Sequence, residues 1–188
     1  MFQSKNPALV IIDVQQAIDH FAILQRSHLN AEHLLMQLLA YWRNKGWPVV
    51  HVRHSSTNSE SPYHANSPWF EFKTEVSPID GECVITKREN CAFIDTELEA
   101  FLRTNNISEL VVGGVLLNHS IDATVRVAKA LKFRVLLIEE ACPASSLTLP
   151  NQQIIEAEQV HQIMLTNLKD EYVELTTQTE LIHSSDND

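Results

Sequence analysis

Residues 110–130 read LVVGGVLLNHSIDATVRVAKA, and their reading decides the fold. Leu110, Val111 and Val112 end an apolar run of the kind that forms a buried strand. Gly113 and Gly114 then permit a close or strained backbone. From Ser120 onward the pattern turns helical, with Ile121, Val125, Ala128 and Leu131 on one face at spacings of three and four. A strand that runs through a tight turn into a helix aims backbone N–H groups at whatever lies above it, and the helix dipole favours negative charge there. Such a turn stabilises an oxyanion. Ser120 stands at the opening of the helix, with Asn118 and His119 just before it. An ordinary crossover with Ser120 as N-cap fits the same residues, so both readings stay open here.

The flanking sequence repeats the theme. Residues 8–14, ALVIIDV, form an apolar run broken by Asp13, typical of a strand buried on both faces. Residues 30–45 carry a helical stripe of Leu34, Leu35, Leu38, Leu39 and Trp42, with Asn30 as the expected cap and Gly46 as the stop. Strands are expected at 48–54 and 83–87, and a short helix at 95–105 with Leu98 and Leu102 inward. Beyond the central stretch come a strand at 133–141, a helix at 150–168, a strand at 172–175 and a short helix at 177–182. Alternating strands and helices predict an α/β fold with three α/β/α layers, a mostly parallel six-stranded sheet and a Rossmann-like order. No internal repeat or linker interrupts 1–188, which reads as a single domain with a frayed polar tail at about 184–188.

Composition narrows the function classes. A net charge of −10 argues against nucleic acid or an anionic membrane as partner. No apolar run is long enough to span a bilayer, and no signal-peptide pattern opens the chain. Three cysteines without close pairing fit a reduced, cytoplasmic protein.

In an open parallel sheet, ligands bind beyond the carboxyl ends of the strands. Asp13, Lys87 and Ser120 all lie at such ends. An acid there is costly unless paired or exposed in a cleft. The three either build a reactive centre or reduce to a structural Asp13–Lys87 ion pair. The long polar segment 55–81 reads as a lid or binding loop. Its Tyr63, His64, Trp69 and Phe70 either wall a pocket, pin the loop or fill a contact between subunits.

Four segments, in order, resemble the isochorismatase-like hydrolase superfamily, which includes cysteine hydrolases such as nicotinamidases and N-carbamoylsarcosine amidases. ALVIIDVQQAI resembles its opening strand and aspartate, and VITKRENCAFIDTELEAFLR its lysine segment. ELVVGGVLLNHSIDATVRVAKALKFRVLLIEEACPA resembles the nucleophile segment, and AEQVHQIMLTNLKDEYVELTTQTEL the final helix and strand. The resemblance implies hydrolysis of a small molecule at a C–N amide or vinyl-ether bond, without cofactor, by a homodimer or higher homo-oligomer. Asp13 takes the position of the catalytic aspartate, Lys87 that of the lysine and Ser120 that of the nucleophilic cysteine. A non-proline cis peptide is implied at Leu116–Leu117, with the amides of Leu117 and Ser120 as oxyanion donors. Trp69, Phe70, Cys91 and His119 are the further candidates for lining the site.

Ser120 departs from the family pattern. A thiol titrates near a pKa of about 8.5, so a modest push yields thiolate. A hydroxyl is a far weaker acid, and no histidine relay is evident to activate it. True isochorismatases in the superfamily also lack the cysteine and cleave a vinyl ether with the aspartate as general acid, for which Asp13 and Lys87 suffice. Cys91 as a substitute thiol competes with its reading as a small buried hydrophobe. A catalytically silent binding or interaction protein on the same fold, and an engineered Cys-to-Ser trap of a cysteine amidase, are the alternatives. His51, His54 and His64 show no metal-ligand spacing, so no metal is expected.

Overall fold

A computed structural model of the chain describes residues 2–20 and 25–185. Among them, six parallel strands form the central sheet: β1 (Ala8–Ile12), β2 (Val49–His54), β3 (Cys83–Lys87), β4 (Glu109–Gly114), β5 (Arg134–Ile138) and, after a small hairpin of β6 (Leu147–Thr148) and β7 (Ile154–Ile155), β8 (Glu174–Thr176). Their order is β3-β2-β1-β4-β5-β8, and every neighbouring pair is parallel. The chain therefore winds outward from β1 to β3, then crosses back to lay β4 on the other side of β1. The reversal opens a crevice at the carboxyl ends of β1 and β4, where ligands bind in sheets of this order.

Side chains of β1 alternate between two cores. Ala8, Val10 and Ile12 pack with α2 (Leu98–Thr104), α3 (Asp122–Ala130) and α4 (Ala157–Leu168). Leu9 and Ile11 pack with α1 (Ala31–Lys45) and with Leu181 of α5 (Gln178–Ser185). Helices on both faces explain why all five β1 residues are apolar and buried. The expected three-layer α/β fold is thus present. On the α1 side Trp42 is fully buried, and its indole N–H donates to the carbonyl of Pro7 at 3.0 Å. Gly46 ends α1 in the left-handed conformation (φ 65°), as a C-terminal glycine does. Asn30 stands at the N-cap position, but its side chain makes no capping bond.

The helix expected over 150–168 begins only at Ala157. Ile154 and Ile155 fit a helical stripe, but they pair as β7 with β6. A tight turn precludes the extra helical turns, with the Leu149 amide donating to Gln153 O (2.8 Å) and Gln152 at φ 67°. The last strand is displaced to Glu174–Thr176, and α5 runs on to Ser185. The rest of the expected frayed tail, 186–188, lies outside the described residues. No helix among the described residues is long and apolar enough to cross a membrane.

Candidate active site

The crevice is shaped first by Gly114. Its φ is +136°, and a Cβ there would sit 2.2 Å from the carbonyl oxygen of Ile12. Only glycine lets β4 run this close to the end of β1. The Val115 amide then donates to that same oxygen at 2.9 Å. One wide π-helical turn, Leu117–Ile121, follows and leads into α3. Ser120 therefore lies inside the first helical turn rather than at its cap, and it is buried. Wide turns of this kind recur where a side chain must be re-aimed at a site.

The cis peptide joins Val115 to Leu116, one bond earlier than the expected Leu116–Leu117. The Leu117 amide is also not available as an oxyanion donor, because it donates to Pro143 O at 2.8 Å. The Leu116 amide has no hydrogen-bond partner among the described residues, and Leu116 lines the crevice.

Asp13 follows β1 in the left-handed region (φ 56°), a conformation that aspartate tolerates better than most residues. Its amide donates to Val52 O, and its carbonyl accepts from the Gln15 amide, each at 2.8 Å. Lys87 ends β3 with its side chain fully buried. Its ammonium donates to Asp13 Oδ2 at 2.7 Å, to Ser120 Oγ at 3.1 Å and to Glu89 O at 3.2 Å. All three N–H bonds are used, which is what a buried ammonium needs. Asp13 Oδ1 is left without a partner among the described residues.

A cavity of about 170 Å³ opens over this cluster. Asp13, Ser120, Val115, Leu116 and His119 line it from the switch point, and Ile18 from the short turn after β1. His54 at the end of β2, Asn90 after β3, and Ser56, Ser61 and Tyr63 of the 55–81 segment complete the wall. Burial, then the Asp13 charge, pushes the Tyr63 phenol well above its usual range, so it stays a neutral hydroxyl. Burial, then the nearby Lys87 charge, holds His54 below the ordinary histidine value. Burial also lowers His119, whose Nε2 lies 3.4 Å from Ser145 Oγ. Lys87 and Asp13 thus meet in a cleft whose two imidazoles are both pushed toward the neutral form.

The structure brings Asp13, Lys87, Ser120, Leu116 and His119 together. It does not bring Trp69, Phe70 or Cys91 to the cavity wall. Trp69 is exposed and stacks on His20, with ring centroids 3.8 Å apart. Phe70 is buried beneath the Arg53 guanidinium at 4.7 Å, where it pins the loop. Cys91 is buried beside Ala92, whose amide donates to Thr124 Oγ1. His51 is buried against Glu82 (2.8 Å), while His64 lies on the loop near Trp69. Gln15, Asn90, Ser56 and Ser61 were not marked by the sequence reading. Their common signal is a polar residue within three positions of the carboxyl end of a strand or of Asp13, or on the long loop.

An isochorismatase domain matches residues 7–180 of the chain. The Bacillus subtilis isochorismatase family protein YrdC is 36% identical over 179 residues, covering 95% of this chain and 96% of that one. A crystallised member of the isochorismatase family from Chromobacterium violaceum superposes with a TM-score of 0.95 at 41% identity, covering 100% of this chain and 97% of that one. N-carbamoylsarcosine amidase from an Arthrobacter species is 38% identical over 115 residues, covering 52% of this chain and 44% of that one. With its sheet order, its switch-point crevice and a match along nearly its full length, the chain belongs to the isochorismatase family.

Proposed function

We propose that the chain is a hydrolase of a small polar molecule, cleaving a C–N amide or vinyl-ether bond through Asp13, Lys87 and Ser120. Ser120 occupies the place where cysteine hydrolases of the superfamily carry their nucleophile. The observation that carries this reading is the ammonium of Lys87 bound to both Asp13 Oδ2 and Ser120 Oγ, with Asp13 Oδ1 spare in the same cavity. The similarity to an amidase supports the amide side of the choice.

Asp13 is the proton-transfer group in either case. Lys87 fixes the carboxylate and offers positive charge to an oxygen that gains electron density. The Leu116 amide is a further donor at the cavity wall. Ser120 Oγ accepts from Lys87 and makes no hydrogen bond to Asp13, so nothing draws off its proton. The contact pattern favours Asp13 as the indispensable group and Ser120 as a polar positioning group. General acid–base transfer of this kind contributes roughly 10²–10⁴-fold.

Turnover of isochorismate, nicotinamide and carbamoyl amides by the native chain, Asp13→Asn, Ser120→Ala and Ser120→Cys tests the reading. The expected result is loss of at least about 100-fold in Asp13→Asn with most activity kept in Ser120→Ala. Loss in both, with an acyl adduct on Ser120 by mass spectrometry, assigns the serine as nucleophile instead. Activity confined to Ser120→Cys marks a disabled cysteine hydrolase, and binding without turnover in every variant makes the chain a ligand-binding protein.

A further inference from the structure

We propose that His28, Glu158 and His161 form a site for a divalent transition metal of the zinc(II) class, apart from the catalytic cavity. One ligand atom from each lies within 4.8 Å of the others. His161 is on α4 and is almost wholly buried. Its Nε2–H donates to the Glu139 carbonyl at 3.0 Å, which leaves Nδ1 as a bare acceptor with no partner among the described residues. That is how a metal-binding imidazole is prepared: one nitrogen is fixed by a carbonyl and the other is freed for the ion.

Glu158 sits three residues earlier on the same helix, so its carboxylate shares the face of His161. A glutamate and a histidine at this spacing on one helix project ligands to a common point. His28 approaches from the segment before α1. Its Nε2 is buried without a hydrogen-bond partner among the described residues, 3.9 Å from Glu158 Oε2, and its ring centroid lies 4.3 Å from that of His161. An ion pair alone would explain the His28–Glu158 approach, but not the buried His161 imidazole beside it, whose Nδ1 has no partner among the described residues. Two imidazoles and one carboxylate suit zinc, with a fourth position left for water. They do not suit magnesium, which takes oxygen ligands.

The position gives the ion a structural task. Just before His28, the Ser27 amide donates to Ala144 O and its hydroxyl accepts from the Ala144 amide, both at 3.0 Å. The next residue, Ser145, donates its amide to Asn118 Oδ1 at 2.9 Å, two residues from Ser120. A metal here clips the segment before α1 to α4 and braces the backbone beside the catalytic turn. Glu158 and His161 are neighbours on one helix, but the fold brings His28 to them from a distant part of the chain, so the sequence spacing alone does not announce the triad.

The test is a calorimetric titration of the chelator-stripped full chain with zinc(II) chloride, alongside His28→Ala, Glu158→Gln and His161→Ala. The native chain is expected to bind one zinc per chain and to melt at a higher temperature with zinc than without. Removing a first ligand should weaken binding by more than the roughly 10–100-fold that an outer partner costs. His161→Ala risks the core of α4, so the deciding variants are His28→Ala and Glu158→Gln, at partly open positions, checked for native circular dichroism. Undiminished zinc affinity in both, absence of saturable one-to-one binding in the native chain, or magnesium binding as tight as zinc would each overturn the site.

Discussion

The ammonium of Lys87 stands 2.7 Å from Oδ2 of Asp13 although β2 lies between the strands that carry them. The lysine spans the carboxyl end of β2 from β3 to reach an acid that follows β1. Both groups are buried, so each is the other's replacement for water. Lys87→Met is expected to strand the Asp13 carboxylate and cost about 3–5 kcal/mol. The double variant Asp13→Asn, Lys87→Met should recover part of that loss and none of the activity. Urea unfolding of the two variants beside the native chain checks this, and a neutral Lys87→Met would contradict it.

Gly114 is irreplaceable for a different reason. The Cβ of Gly114→Ala meets the backbone oxygen of Ile12 at 2.2 Å, and backbone cannot swing aside. The expected cost is at least about 3 kcal/mol or failure to fold. Gly81→Ala is the control: its φ is +92°, but a Cβ there has no neighbour within 4 Å. That variant should lose only the backbone strain of a left-handed L-residue, roughly 1–2 kcal/mol. Thermal denaturation of both separates crowding from backbone conformation.

Gln15 fastens the carboxyl end of β2, beside the cavity, to the long loop. Fully buried, it donates from Nε2 to His54 O (3.1 Å) and Phe70 O (2.7 Å), and its Oε1 accepts from the His54 amide (2.8 Å). It thus ties the end of β2 to the 55–81 segment. Gln15→Ala removes the partner of the buried Phe70 carbonyl and of two part-buried His54 groups, at about 1–3 kcal/mol for each group that water does not reach. A raised KM with a smaller change in kcat is expected, because the residue positions the lining residue His54 without touching the reacting atoms.

Acid should weaken the far side of the sheet. Burial alone would raise the Glu82 carboxyl, but bonds from Arg43, the Ile79 amide and His51 outweigh it and hold the pKa at about 2. Glu82 therefore stabilises the fold fully above its ordinary value of 4.5, and this contribution is lost as pH falls through that value toward 2. Burial lowers His51 despite Glu82 beside it, so its protonation below the ordinary 6.5 also favours unfolding. Glu82→Gln should be less stable than the native chain at pH 7. Its stability should also change less between pH 4.5 and 2, as read from urea midpoints.

The architecture was legible because a sandwiched strand must be apolar throughout. ALVII and the run through Val112 announce a parallel sheet, and their carboxyl ends announce where to look for Asp13, Lys87 and Ser120. What the sequence hid depends on single backbone choices. The periodicity of Ile121 and Val125 gives a helix, but not the π turn that moves Ser120 inside it. Ile154 and Ile155 satisfy a helical stripe and a hairpin equally well, and the turn at Gln152 decided between them. Trp69 and Phe70 are the right residue types for a pocket wall. The loop spends one on His20 and the other on Arg53, and presents Tyr63 instead.

The modest volume over Asp13 and Ser120 governs how activity should be sought. A compartment of about 170 Å³ leaves little room for a dye or fluorophore tethered to the scissile group. Colour-releasing surrogates place their label outside this volume and test a poorer fit than the compound itself. Unlabelled compounds, followed by released ammonia or by mass change, are the appropriate screen.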